Sequence, residues 1–237
     1  MSDKTKEKSV VRQSSADEIS AFVAKTREMA ALKPKSADNN GRLIFALDAT
    51  LSRQPTWDMA CHLQAEMFSV VNEIGSLSVQ LNYYRGFGEC RSSNWASDSA
   101  TLQRFMSKIR CQGGRTQIGK VFANARKQHG KKPVNALVFI GDAMEENLDI
   151  LCDRAGELGL LGVPMFLFQE GHDTAVERAF KELARLTKGA YARFDENAAN
   201  ELSALLRAVA VYAAGGITAL EASKDRLLLP QMKPQSR

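Results

Sequence analysis

Two acids and three hydroxyls of this chain are spaced so that they can share one divalent cation. Asp48, Thr50 and Ser52 alternate just after an apolar run, so a single turn can aim all three at one point. Asp142 follows a second apolar run at 136–140, and Thr116 stands between the two acids, behind Gly113 and Gly114. Mg²⁺ takes about six oxygen ligands in a tight octahedron and keeps several waters. Two carboxylates and three hydroxyls on converging loops meet that demand, and the glycines let the backbone come close without a Cβ. Taken singly, each strand-ending acid reads as a helix cap, and so does Thr116. The order of all five is what points to a metal.

The same region contains a competing pattern. Gly114-Arg-Thr-Gln-Ile-Gly119-Lys120 matches a phosphate-binding loop until Val121, which stands where the Mg²⁺-binding Ser or Thr belongs. No strand precedes its first glycine, so nucleotide binding is not expected and Lys120 is expected to face solvent. His62, His129 and His172 are far apart, lack metal-ligand spacing and read as surface or packing residues. Glu145 and Glu146 either tune the metal's affinity or solvate their loop. Ser97 or Asp98 is expected to cap the helix that follows.

The elements that must position these residues alternate along the chain. Strands are expected at 43–47, 77–84, 136–140, 163–168 and 190–194, with a weaker one at 89–95. Helices are expected from Trp57 to Gly75, over 102–109, 118–128 and 148–158, from Thr174 to Gly189, and from Leu202 to a stop at Gly215 and Gly216. Thr174 with Glu177 reads as a capping box, as does Ser15 with Glu18 ahead of a leading helix over 15–32. Short apolar strands between helices imply an α/β fold: a Rossmann-like, doubly wound, mostly parallel central sheet flanked by helices. Ligands of such sheets collect at the carboxyl ends of the strands, near the point where strand order reverses. The expected division is a basic disordered tail over 1–14, the leading helix and linker over 15–40, the domain over 41–216 and a C-terminal tail over 217–237.

At this point the residues resemble a known family. An apolar strand ending in Asp48-x-Thr50-x-Ser52, then Thr116 on a glycine-rich loop, then Asp142 after another apolar strand resemble the metal-ion-dependent adhesion site (MIDAS) of von Willebrand factor A (VWA) domains. Gly162-Val-Pro-Met-Phe-Leu-Phe and Leu183-Ala-Arg-Leu-Thr-Lys-Gly-Ala-Tyr are similar to that family's closing strand–helix–strand, and the likeness spans about residues 41–213. Thr50 replaces the commoner Ser and keeps the hydroxyl; Ala143 replaces the commoner Gly. The resemblance implies that Thr50, Ser52 and Thr116 bind Mg²⁺ (or Mn²⁺) directly, and Asp48 and Asp142 directly or through water. It implies a protein-binding adaptor, not an enzyme, that grips an Asp or Glu of a partner, with AAA-type ATPases or other large complexes among the partners such domains serve. The alternative resemblance is to haloacid-dehalogenase-like Mg²⁺-dependent phosphatases. Asp48 would be the nucleophile and Gly141-Asp142-Ala-Met-Glu145-Glu146 the last acidic motif. Thr50 stands where that family places its general acid, and a hydroxyl does not shuttle protons near neutral pH.

Composition bounds these readings. The chain has 237 residues, 44% hydrophobic and 25% charged, as an ordinary globular protein does. The net charge of +5 is carried by the ends: residues 1–13 contribute +2 and residues 224–237 contribute +3, leaving the core at zero. Solvated basic tails therefore explain the charge, and no specific nucleic acid is expected. No apolar run is long enough for a bilayer, and the charged first residues lack the apolar stretch of a signal peptide. Cysteines 61, 90, 111 and 152 share no ligand spacing and suit reduced thiols in a cytoplasmic protein.

Overall fold

A computed structural model of the chain describes residues 20–21, 24–25, 40–71, 75–194 and 199–222. Of the leading helix expected over 15–32, Ser20, Ala21, Ala24 and Lys25 are described and are helical. The rest of that helix, its capping box, residues 1–14 and residues 223–237 lie outside the described residues.

Six strands form one sheet: β1 (Asn40–Asp48), β2 (Ser76–Arg85), β3 (Glu89–Ala96), β4 (Ala136–Gly141), β5 (Met165–Glu170) and β6 (Ala190–Phe194). Their order is β3-β2-β1-β4-β5-β6. Every pairing is parallel except β2 with β3, which is antiparallel. The helices are α1 (Gln54–Val71), α2 (Ser99–Met106), α3 (Ile118–Lys131), α4 (Leu148–Leu160), α5 (Thr174–Leu186) and α6 (Ala199–Ala222).

The continuous apolar reading of the central strands has a simple cause: both faces of the sheet are covered. Leu43, Phe45 and Leu47 of β1 pack with Met67 and Phe68 of α1 and with Leu205 and Val209 of α6. Ile44 and Ala46 point the other way, toward Phe122 of α3, Leu151 of α4 and Phe180 of α5. Strand order reverses between β1 and β4, so the crevice at their carboxyl ends is where such sheets bind ligands. At the outer edge, β3 leaves Arg91, Ser92 and Asn94 exposed, and its register with β2 shifts between Gln80 and Asn82.

Several helix ends differ from the sequence reading by a few residues, and two of them have a clear physical cause. The final helix does not stop at Gly215 and Gly216 but continues to Ala222, so residues 217–222, assigned to the C-terminal tail, are helical. Packing outweighs the glycine penalty here: Ala213 and Ala214 ahead of the pair and Ala219 beyond it are all buried in the core. Helix α5 is capped by Asp173, one residue before the expected Thr174, with its carboxylate accepting from the Ala175 and Val176 amides at 2.7 and 3.1 Å. Glu177 is thereby free to pair with Lys181 and Arg193. Asp98, one of the two expected candidates, caps α2 by accepting from the Thr101 amide at 2.8 Å.

Candidate metal centre

Asp48 closes β1 in register with Tyr84 of β2 and on the same face of the sheet as Ile44 and Ala46. It is only 4% exposed. Oδ1 accepts the Thr50 amide at 2.7 Å, which turns the chain just beyond the strand, and Oδ2 accepts the Tyr84 hydroxyl at 3.1 Å. Burial lifts this carboxyl to about 6; hydrogen bonds from Thr50 and Tyr84 oppose the rise, and the nearby charge of Asp142 adds to it. The turn brings the Thr50 and Ser52 hydroxyls to 3.4 Å from each other. Thr50 is half-buried and Ser52 is exposed.

The glycine-rich loop lies against this turn and against the β2–β3 hairpin. The Gln112 amide donates to the Ala49 carbonyl at 2.9 Å, and the Arg115 amide to the Gly86 carbonyl at 3.1 Å. A Cβ on Gly114 would overlap the Gly86 backbone, so the expected close approach is real at this glycine; at Gly113 there is open space. Gly86 itself has φ +58°, which a glycine adopts freely.

Thr116 is buried at the end of this loop. Its amide donates to Glu145 Oε2 and its Oγ1 accepts the Glu145 amide, both at 2.9 Å. Thr116 is therefore not a helix cap. That task falls to Glu146, whose carboxylate accepts the Ile118 and Gly119 amides at the start of α3, each at 2.8 Å. Glu145, which is exposed, and Glu146, which is half-buried, clamp the glycine-rich loop to the β4–α4 loop that carries Asp142. The Thr116 hydroxyl oxygen retains a second lone pair for a further partner.

The sequence reading missed the cation nearest the centre. Arg53, next to Ser52, is almost fully buried; its Nη2 lies 3.3 Å from Asp142 and its Nη1 2.6 Å from Glu170. Glu170 also accepts the Thr56 hydroxyl. The Arg53 Nε has no hydrogen-bond partner. A signal for Glu170 was present, since it closes β5 as Asp48 closes β1. Nothing in local spacing links it to Arg53, 117 positions earlier.

The five expected residues thus lie on three interlocked loops at the carboxyl ends of β1 and β4. Among the described residues no three His, Cys, Asp or Glu side chains gather as a metal set. A metal held here must draw on the hydroxyls as well. The donors are all oxygens, which fits a hard divalent cation such as Mg²⁺ or Mn²⁺. Burial and the charge of Asp48 push the nearby Cys111 thiol up to about 11. The phosphate-loop pattern finds no support, since no strand leads into Gly114 and the Lys120 ammonium is spent on the Gly88 carbonyl and Gln117 Oε1, each at 2.8 Å. His129 accepts the Val134 amide through Nδ1, as a packing histidine does.

The architecture has clear relatives among solved structures. The VWA domain of SpRpn10 superposes with a TM-score of 0.55 at 13% identity, over 70% of this chain and 93% of that one. The fold of this chain is that of a VWA domain. An aerotolerance-related membrane protein from Bacteroides fragilis NCTC 9343 matches with a TM-score of 0.52 at 18% identity, over 69% of this VWA-like chain and 94% of its own. Proximal thread matrix protein 1 from the mussel byssus, with a zinc-occupied MIDAS motif, matches with a TM-score of 0.59 at 14% identity, over 74% of this chain and 47% of that one. No protein-family profile matches the sequence, and a search of curated proteins finds no relative. Among the described residues, no helix of this VWA fold is long and apolar enough to cross a membrane.

Proposed function

We propose that this VWA-fold chain is a metal-dependent protein-interaction domain, not an enzyme. In this reading Asp48, Thr50, Ser52, Thr116 and Asp142 hold Mg²⁺ or Mn²⁺, and the metal grips an Asp or Glu of a partner protein. The observation that supports it is that these five residues lie on three interlocked loops near the strand-order reversal, with the Thr50 and Ser52 hydroxyls 3.4 Å apart. Thr50 and Ser52 point together; Thr116 is fixed by Glu145; Asp48 and Asp142 raise each other's energy when both are charged. The cation supplies positive charge that neutral hydroxyl ligands leave partly uncompensated, which favours an outside carboxylate. That a protein of the same fold carries zinc at its MIDAS supports the reading.

The partner we infer is a component of a larger assembly, an AAA-type ATPase or another complex, rather than nucleic acid or membrane. Four free cysteines with no disulfide among the described residues support a cytoplasmic setting. The phosphatase alternative lacks its general acid: the residue two past Asp48 is Thr50, whose amide is bound to the Asp48 carboxylate.

Titration calorimetry with MgCl₂ and MnCl₂ tests the proposal. Wild type is expected to bind one ion in the millimolar range or tighter, and Asp142→Ala to lose most of that affinity while remaining folded. Absence of binding by wild type at millimolar metal, or phosphoester turnover abolished by Asp48→Asn, would overturn it.

A further inference from the structure

Large apolar side chains exposed among the described residues are five: Leu51, Phe87, Ile150, Leu160 and Leu161. Three of them lie on segments that carry or adjoin the candidate centre. Leu51 stands between Thr50 and Ser52, Ile150 lies in the first turn of α4 beyond Asp142, and Phe87 tips the β2–β3 hairpin that lies on the glycine-rich loop. They are 66%, 54% and 86% exposed. Exposed apolar groups around a polar centre mark interaction surfaces, with an aromatic anchor the usual source of affinity.

The hairpin is built to hold Phe87 still. Gln117 donates through Nε2 to the carbonyls of Arg85, Gly86 and Glu89, Lys120 reaches the Gly88 carbonyl, and Arg85 bonds the Arg110 carbonyl at 2.7 Å. So firm a mount under a side chain that touches almost nothing is unexplained by folding. Cations outnumber acids around it: Arg85 and Arg91 belong to the hairpin strands, Lys120 reaches the hairpin, Arg115 is bonded to it through its backbone, and against these four stands Glu89, which pairs with Arg85 and Arg91.

We propose that Phe87 and this basic hairpin form a second recognition point for the partner: a short acidic protein segment that carries an aromatic or large aliphatic residue beside the carboxylate bound at the centre. The apolar residue packs on Phe87, and flanking acids meet the exposed Arg91 and Arg115. The proposal rests on the adhesion-type reading above for the bound carboxylate, but Phe87 and its cations act whether or not metal is present. A single-stranded nucleic acid suits the surface less well. Leu51 and Ile150 are exposed and aliphatic, which suits a protein side chain and offers no face for base stacking.

Fluorescence anisotropy on the full chain separates the two claims, with labelled poly-Glu, a 4:1 Glu/Tyr random copolymer of equal length and a dT20 oligonucleotide as probes. Wild type is expected to bind the Glu/Tyr copolymer about tenfold more tightly than poly-Glu, the scale of one aromatic anchor. Phe87→Ser should erase that preference, leave poly-Glu binding unchanged and leave the melting temperature in place. The effect of EDTA on both polymers reports the metal reading; the ratio between the polymers reports the hairpin. Equal affinity for the two polymers, a preference that survives Phe87→Ser, or tighter binding of dT20 than of the copolymer would overturn the proposal.

Discussion

The Arg53 guanidinium lies 3.3 Å from the Asp142 carboxylate, so an acid proposed to hold a divalent cation already faces a cation of the protein's own. The same guanidinium reaches Glu170 at 2.6 Å. Its positive charge opposes that of a metal ion and competes for Asp142. Arg53→Met is therefore expected to tighten Mn²⁺ binding by about tenfold, a modest Coulomb effect in a partly shielded site. It also leaves Glu170 buried without a counter-charge, at a cost of about 3 kcal/mol in stability. The double variant Arg53→Met, Glu170→Met should recover much of that stability and keep the tighter binding. Weaker Mn²⁺ binding in the double variant, by calorimetry, would show that Arg53 supports the metal instead of opposing it.

Asp48 makes the metal-free protein sensitive to pH. Its folded carboxyl titrates at about 6, against an ordinary 3.8, because burial penalises the charge. A raised acid favours the fold fully below its unfolded value and loses that contribution as pH rises through the folded value. The loss amounts to about 3 kcal/mol, an upper figure for a shift of this size. In EDTA, Asp48→Asn should gain on wild type by up to that amount between pH 4 and pH 7.5 in urea unfolding. Parallel stability curves for the two proteins would rule this out. Bound metal should reverse the trend, since it needs the ionised carboxylate.

Thr116 has two separable duties. Thr116→Ala removes the acceptor for the Glu145 amide, costing about 1 kcal/mol, as well as one candidate metal oxygen. A small fall in melting temperature therefore accompanies the loss of metal affinity. Thr116→Ser keeps the hydroxyl and should restore both. If Thr116→Ser restores stability but not metal binding, the hydroxyl is structural alone.

Glu146 is a helix cap supplied from another loop. Glu146→Ala strips two amides at the start of α3 of their acceptor and should cost about 1–2 kcal/mol. Metal affinity should stay within about twofold, because the carboxylate is engaged by the helix. A large drop in affinity at unchanged stability, by calorimetry and thermal melts, would return Glu146 to the role of affinity tuner.

The fold was legible because its strongest signal is local. Strands such as 43–47 and 136–140 are unbroken apolar runs that only a doubly covered sheet explains. The strand-end acids Asp48 and Asp142 were legible for the same reason, since position after an apolar run is a sequence property. The pairings of Arg53, Tyr84 and Glu170 were not, although Glu170 too ends a strand. Their partners are set by which strands become neighbours, and spacing along the chain does not carry that order. Glu146 misled for a related reason: a carboxylate in a loop looks solvated until the helix whose amides it caps is brought across from 28 positions away. The helix end at Gly215 and Gly216 was misread because glycine's intrinsic penalty is about 1 kcal/mol and burial of Ala213, Ala214 and Ala219 exceeds it.

The polar rim of β3 has a consequence for how the chain behaves in a crowd. An open sheet invites other strands to add to its edge, and each addition exposes a fresh edge. Here the antiparallel outer strand shows Arg91, Ser92 and Asn94, and its register with β2 shifts between Gln80 and Asn82, an irregularity of the kind that interrupts a regular edge. The opposite border, β6, is five residues long. Neither border is a good template for a second copy. Both sheet borders thus disfavour side-by-side addition of a second copy, which leaves the carboxyl end of the sheet as the face for the partner proposed above.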